Sequence, residues 1–170
     1  MIRPGISIEL ARRSDVVEIA CMSRDLIERG LRWSWTPERV AASVRSTTAL
    51  VVVARAPRRI AGFGIMRYGD EEAHLDLLGV DRAHRREGLG RHLVEWLEKP
   101  ALVAGISAVF LEVRGSNRGA QAFYERLGYP SSRALRTTTR VESRPSAWAA
   151  SSGTGIQSSH RDNRGPSPGL

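Results

Sequence analysis

Apolar residues recur along the first 130 positions with two different periods, and the switches between them mark out strands and helices. Ile6, Ile8 and Leu10 alternate with small or polar residues, the pattern of a first strand. Val16, Ile19, Ala20, Ser23, Leu26 and Ile27 then recur at helical spacing. Ser14 is placed to cap that helix and Gly30 to end it. Thr36-Pro37-Glu38 offers a cap, a first-turn proline and an acid, and predicts a second helix running to about Ser46. Residues 50–54 are continuously apolar, as a buried strand is. Pro57-Arg58-Arg59 turns the chain back into 60–68, and Gly69-Asp70-Glu71 turns it again into 73–80. Three strands joined by turns this short predict an antiparallel meander. A helix follows with Leu89, Leu93, Trp96 and Leu97 on one face. Pro100 is expected to kink or end it, having no N–H for the Trp96 carbonyl. Residues 108–113 read as a fifth strand, reached by a helical crossover and therefore parallel to the fourth. Asn117 caps a last helix, with Ala120, Phe123, Tyr124 and Leu127 inward and Gly128 as its stop. The expected fold class is α/β, a mixed and mostly antiparallel sheet flanked by helices.

After Tyr129 the periodicity fades. Residues 131–170 are rich in Ser, Arg, Pro and Gly, and are read as a disordered basic tail behind a domain spanning 1–130. Within that tail 135–141 has some strand character, too little to assign one. A shifted reading frame near Pro130 would produce such a composition from GC-rich DNA.

Composition narrows the function classes. The chain has 170 residues and a formal charge of +8. About half of that excess lies in 131–170, where six arginines face only Glu142 and Asp162. No aromatic residues alternate with basic ones as a single-strand nucleic-acid surface requires, so nucleic acid is an unlikely partner. One cysteine, Cys21, excludes an internal disulfide framework and falls on the apolar side of the first helix, as a core residue. No signal-peptide pattern or membrane-length apolar run is visible, so a cytoplasmic location with no membrane partner is expected. A homodimer is left open. His74, His84, His92 and His160 lack metal-ligand spacing, and no metal is expected.

The most informative stretch is VDRAHRREGLG over 80–90. Arg85, Gly88 and Gly90 spell R-x-x-G-x-G between a strand and a helix. Glycines there let main-chain N–H groups approach a ligand, and the first amides of a helix have no internal partner. A diphosphate fits such a site, with Arg85, Arg86 and Arg91 adding charge around it. The same glycines would also serve a solvated helix start that needed a tight turn. The dinucleotide fingerprint is excluded because its third glycine position is Leu93. A P-loop is excluded because no Gly-Lys-Ser/Thr follows.

This motif, the order of elements, and LEVRGSNRGAQAFYERLGY over 111–129 together resemble the GNAT superfamily of N-acetyltransferases. The likeness covers roughly 5–130 and is nearest to bacterial enzymes that acetylate ribosomal-protein N-termini. It implies acetyl-CoA as co-substrate, held at a splay between the fourth and fifth strands, with the main-chain amides of Arg85, Arg86, Gly88, Leu89 and Gly90 on its pyrophosphate. Leu78 and Val80 would offer main-chain groups to the pantetheine arm, and Asn117 would contact the same arm beyond its capping role. Glu112 maps onto the family's general base and Tyr124 onto its general acid, with Asp76 and Glu72 as competing bases. Trp33 and Trp35 stand where members line the acceptor entrance, or else pack. No cysteine is placed to carry an acetyl group, so direct attack of the amine in a ternary complex is implied. A lysine amine of pKa about 10.4 is rarely unprotonated at neutral pH, whereas an α-amine near about 7.8 often is. A carboxylate of pKa about 4.3 suits the second, which favours an α-amine acceptor, a protein N-terminus first and a small-molecule amine next.

Members of the superfamily continue past the last helix with a hairpin, one strand of which lies beside the fifth. No such hairpin is legible in 130–170, which predicts an exposed edge on the fifth strand. An acetyl-CoA-binding module with little catalysis is the alternative that follows.

Overall fold

The computed structural model describes residues 4–129 and, as backbone, 138–143. Six strands form one sheet in sequence order: β1 Ser7–Leu10, β2 Ala49–Ala56, β3 Arg59–Tyr68, β4 Glu72–Val80, β5 Ala108–Arg114 and β6 Thr138–Ser143. Helices α1 Val16–Leu26, α2 Pro37–Arg45, α3 Leu89–Val103 and α4 Arg118–Arg126 connect them. The meander β2–β3–β4 is antiparallel as its short turns require, and β5 lies parallel to β4 across the α3 crossover.

The sheet is covered on both sides. Val52 and Ala54 of β2 face a layer built with Leu89, Leu93, Val94 and Leu97 of α3 and Tyr124 of α4. Val51 and Val53 face the other layer, with Val16, Ile19 and Ala20 of α1, Val40 of α2 and Trp35. Burial on both faces explains why 50–54 is an unbroken apolar run.

Several local expectations need correction. Ser14 lies in a 3-10 turn, Arg13–Asp15, and α1 starts after it. Asp15 does the organising there: its Oδ2 accepts from the Arg12 amide at 2.7 Å and from Arg55 at 2.8 Å. Gly30 does not end α1, which stops at Leu26; it sits four residues on, with φ +78°. Pro100 does not end α3, which continues to Val103 because Ala101, fully buried, holds the last turn against the sheet. Cys21 is only half-buried. The edge of β5 is not bare. β6 pairs antiparallel along it from Val109↔Ser143 to Arg114↔Thr138, placing Arg140 opposite Glu112 in the register. Main-chain pairing needs few apolar residues, which is why the sequence hides this strand. The rest of 131–170 lies outside the described residues.

The α1–α2 connection is anchored by charge. The Glu28 carboxylate, 6% exposed, accepts from the amides of Ser34 (2.8 Å) and Trp35 (3.2 Å) and from the hydroxyls of Ser34 and Ser23. Arg114, at the end of β5, donates to the Ile27 and Arg29 carbonyls. Burial pushes the Glu28 pKa up, but these hydrogen bonds outweigh it and hold the group below its ordinary 4.5. The connection is thus closed on itself through Glu28 and fastened to the sheet through Arg114.

Two outcomes follow. In Gly79→Ala the new methyl would lie 2.5 Å from the buried Phe63 ring, so unfolding free energy should fall by about 1–3 kcal/mol. Urea denaturation should show a lower midpoint at unchanged slope. Glu28→Gln should cost about 1–2 kcal/mol at neutral pH. Because the folded pKa lies below the unfolded value, the Glu28 contribution is complete above pH 4.5 and fades as pH falls through the folded pKa. The gap between parent and variant should therefore close in acid, as thermal unfolding between neutral and acidic pH would report.

Candidate active site at the strand fork

β4 and β5 are paired only from Glu72↔Ala108 to Leu75↔Leu111. Beyond that point β4 runs on to Val80 and β5 to Arg114 with no pairing between them, which opens a fork. The cause is a bulge. The β3–β4 register passes from Ile65↔Leu77 to Met66↔Leu75 and leaves Asp76 as the extra residue. A bulge bends its strand and increases its twist, turning β4 away from β5. It also exchanges faces: Ala73 and Leu75 lie in the α3 layer before it, Leu77 in the α1 layer after it, and Leu78 and Val80 again pack on the α3 side. Leu78 and Val80 therefore stand on the unpaired arm of β4. The Val80 carbonyl already accepts from Arg85 Nε at 3.1 Å, so that guanidinium braces the turn.

Past Val80 the Asp81 carboxylate caps a 3-10 turn, Arg82–His84, by accepting from the Ala83 amide at 2.8 Å. Arg86 (φ +63°) and Gly88 (φ +79°) both adopt left-handed backbone, and α3 begins at Leu89. Alternating backbone of this kind points successive N–H groups into one concavity. The amides of Gly88, Leu89, Gly90 and Arg91 donate to no acceptor among the described residues. The helix dipole adds partial positive charge at the same place. Gly88 is required by its φ. Gly90 serves packing, since a Cβ there would lie 3.2 Å from the Phe123 ring of α4. Arg86 and Arg91 form no ion pair among the described residues; Arg91 lines a hollow of about 280 Å³ with Glu95, Glu98 and Arg126.

On the α1–α2 side of the fork lies a cleft of about 320 Å³, bounded by Trp35, Arg39, Arg67, Asp76, Phe110 and Glu112. Glu112 is the first β5 residue beyond the last pair with β4, and it is exposed. None of the residues 4–129 hydrogen-bonds or ion-pairs with its carboxylate, and Arg140 stands opposite it in the β5–β6 register. The competing carboxylates are engaged. Asp76 holds Arg67 through two bonds of 2.5 and 2.7 Å, and Glu72, at the closed end of the fork, meets His74 at 3.0 Å.

Tyr124 lies on the opposite face of the sheet from Glu112. It is buried edge-on against Phe123 and Tyr129, with ring centroids 5.0 and 5.6 Å away. Burial alone pushes its phenol pKa well above the ordinary 10.0. The two residues are thus brought to one region of the chain but to different layers, and the fork is the passage between those layers. Asn117 caps α4, its Oδ1 accepting from the Ala120 amide at 3.1 Å, while its Nδ2 donates to nothing among the described residues. Of the tryptophans, Trp35 lines the cleft and Trp33 does not.

The sequence pattern gave no hint of the Asp76 bulge, the Arg67–Asp76 pair or the Arg39–Trp35 stack, in which the guanidinium lies 3.9 Å from the ring centroid. Among the described residues no group of three or more His, Cys, Asp or Glu could hold a metal ion. No helix there is long and apolar enough to cross a membrane.

Comparison with known proteins agrees with this architecture. Residues 20–129 match the model of the acetyltransferase (GNAT) family. The chain is 41% identical over 71 residues to the [ribosomal protein bS18]-alanine N-acetyltransferase of Escherichia coli K12, covering 42% of this chain and 48% of that protein. It is 42% identical over 71 residues to the enzyme of that name in Salmonella typhimurium. The chain thus spans about half the length of the curated relatives it matches. Among solved structures, the PaiA N-acetyltransferase of Thermoplasma acidophilum, in complex with coenzyme A, is similar over 82% of this chain and 98% of its own, with TM-score 0.74 and 20% identity. The E. coli ribosomal-protein-S18-alanine N-acetyltransferase follows over 81% and 91%, with TM-score 0.66 and 24% identity. With its matched region reaching from α1 to the end of α4, the chain belongs to the acetyltransferase (GNAT) family.

Proposed function

We propose that this chain is an acetyl-CoA-dependent N-acetyltransferase acting on a primary amine, a protein N-terminal α-amine first and a small-molecule amine second. The observation that carries the reading is the set of four unpartnered amides, Gly88 to Arg91, at a helix mouth on one arm of an open fork. Such amides suit the diphosphate of coenzyme A, with Arg86 and Arg91 adding charge. Leu78, Val80 and the free Nδ2 of Asn117 offer polar groups along the fork for the pantetheine arm, in the manner of an added strand. The coenzyme A-bound PaiA neighbour and the bS18-alanine N-acetyltransferase relatives are consistent with this cofactor and acceptor class.

Acetyl-CoA, when bound, supplies a thioester whose carbonyl carbon is open to attack by an amine. The protein must then manage two protons. Glu112 is the base: it is the carboxylate at the fork that no cation within residues 4–129 neutralises, whereas Asp76 is committed to Arg67. An α-amine of pKa about 7.8 is unprotonated often enough for a carboxylate to assist it, and a lysine amine of about 10.4 is not. Tyr124 is the acid. With its pKa raised by burial, its hydroxyl stays protonated throughout the working range and can donate to a departing thiolate. The absence of any cysteine lining the cleft agrees with direct transfer in a ternary complex.

The test is binding followed by turnover. Acetyl-CoA at about a hundred times its Kd should raise the melting temperature by roughly 5–10 °C, and no shift at millimolar acetyl-CoA would overturn the reading. Glu112→Gln and Tyr124→Phe should each lower kcat by about 10²–10⁴-fold while the acetyl-CoA-induced shift is retained. Binding without thiol release toward any amine would identify a coenzyme-binding module instead.

A further inference from the structure

The cleft on the α1–α2 side carries an unbalanced pair of charges. Arg67 and Asp76 neutralise one another in a two-bond pair whose carboxylate side chain is only 12% exposed. His74 is bonded to Glu72 and stacked on Phe110, with ring centroids 5.4 Å apart. That leaves Arg39 on one wall and Glu112 on another, neither in an ion pair with residues 4–129. Arg39 is also held in place. Its guanidinium lies over Trp35, which is 7% exposed and whose amide is tied to the buried Glu28 carboxylate. A stacked guanidinium keeps its in-plane N–H groups free, the arrangement that grips a carboxylate with two parallel bonds.

Resting on the acetyl-transfer reading above, we infer that the acceptor is an amine bearing a carboxylate close by, with its ammonium toward Glu112 and its carboxylate toward Arg39. An acidic second residue in a protein N-terminus and the carboxylates of a free acidic amino acid present the same chemistry. A cationic second residue presents the opposite, a like charge against a fixed arginine. Arg39 is itself solvent-exposed, so the discrimination is moderate and sensitive to salt.

Competition among peptides beginning Ala-Glu, Ala-Gln and Ala-Arg, otherwise identical, tests this, with free glutamate as a fourth acceptor. The expected order of kcat/KM is Glu over Gln over Arg, spanning roughly five- to tenfold at low salt and shrinking as salt rises. Arg39→Glu should reverse the order, Arg39→Gln should flatten it and Arg39→Lys should keep its sense. Whether free glutamate outruns the Ala-Glu peptide tells which source of carboxylate the cleft takes. Equal or inverted preference in an active parent enzyme would overturn the inference alone, as would a preference untouched by both Arg39→Glu and Arg39→Gln. Failure to acetylate any of the four while another primary amine is acetylated would overturn this inference alone, and failure with every primary amine tried, acetyl-CoA being bound, would remove the catalytic reading with it.

Discussion

Everything at this site depends on β4 and β5 parting company at one residue. Two parallel strands that stayed in register would satisfy each other's N–H and C=O groups and leave nothing for a ligand. Inserting Asp76 between Leu75 and Leu77 ends that pairing after four residue pairs. The strand arms beyond it keep polar main-chain groups that a packed sheet would have consumed. The sheet tolerates this because β4 stays paired to β3 on its other side, from Tyr68↔Ala73 to Gly62↔Val80, and both faces are covered. The bulged residue is itself secured by Arg67, so the irregularity that opens the site is fixed by an ion pair within the cleft.

The two faces of the sheet carry different chemistry. Glu112, alternating with the buried Leu111 and Val113, lies toward solvent on the α1–α2 face. Tyr124 lies in the apolar layer on the other face, where burial keeps the phenol a donor. A carboxylate buried beside Tyr124 would instead be pushed toward its protonated form. Glu98 shows the tendency: burial raises its pKa, and a hydrogen bond from Tyr129 only partly opposes this. A sheet with two differently solvated faces can thus hold an exposed carboxylate and a buried phenol 12 residues apart in sequence.

Much of the architecture was legible because it follows from period and punctuation. The unbroken apolar run at 50–54, the short turns at 57–59 and 69–71, and Asn117 with Gly128 around the last helix each act locally, and each behaves as its residue types require. The unpartnered amides at 88–91 were foreseeable for the same reason, since glycine at a strand-to-helix turn is a local feature. What escaped depends on contacts far apart in the chain. Asp76 reads as one more alternating strand residue until the partner register shows it to be extra. Arg114 reads as the end of a strand until the α1–α2 connection presents its carbonyls, and Glu28 as a solvated helix acid until Ser34 and Trp35 fold over it. β6 was missed because edge pairing is made by main chain and leaves little trace in side-chain pattern.

A division of labour follows between backbone and side chains. The mouth of α3 is built from main-chain groups: amides at a helix start and an unpaired strand arm, demanding only left-handed geometry at Gly88 and a close approach at Gly90. Main-chain geometry of that kind constrains few side chains, and the fold is shared at 20% identity over 82% of this chain. The cleft on the α1–α2 side is lined by the side chains of Arg39, Trp35 and Glu112, and a change to any of them alters its charge or shape directly. The character of the cleft can therefore shift through two or three residues at the start of α2 and on β5. The fork itself need not move, because its geometry is set by a register that those residues do not enter.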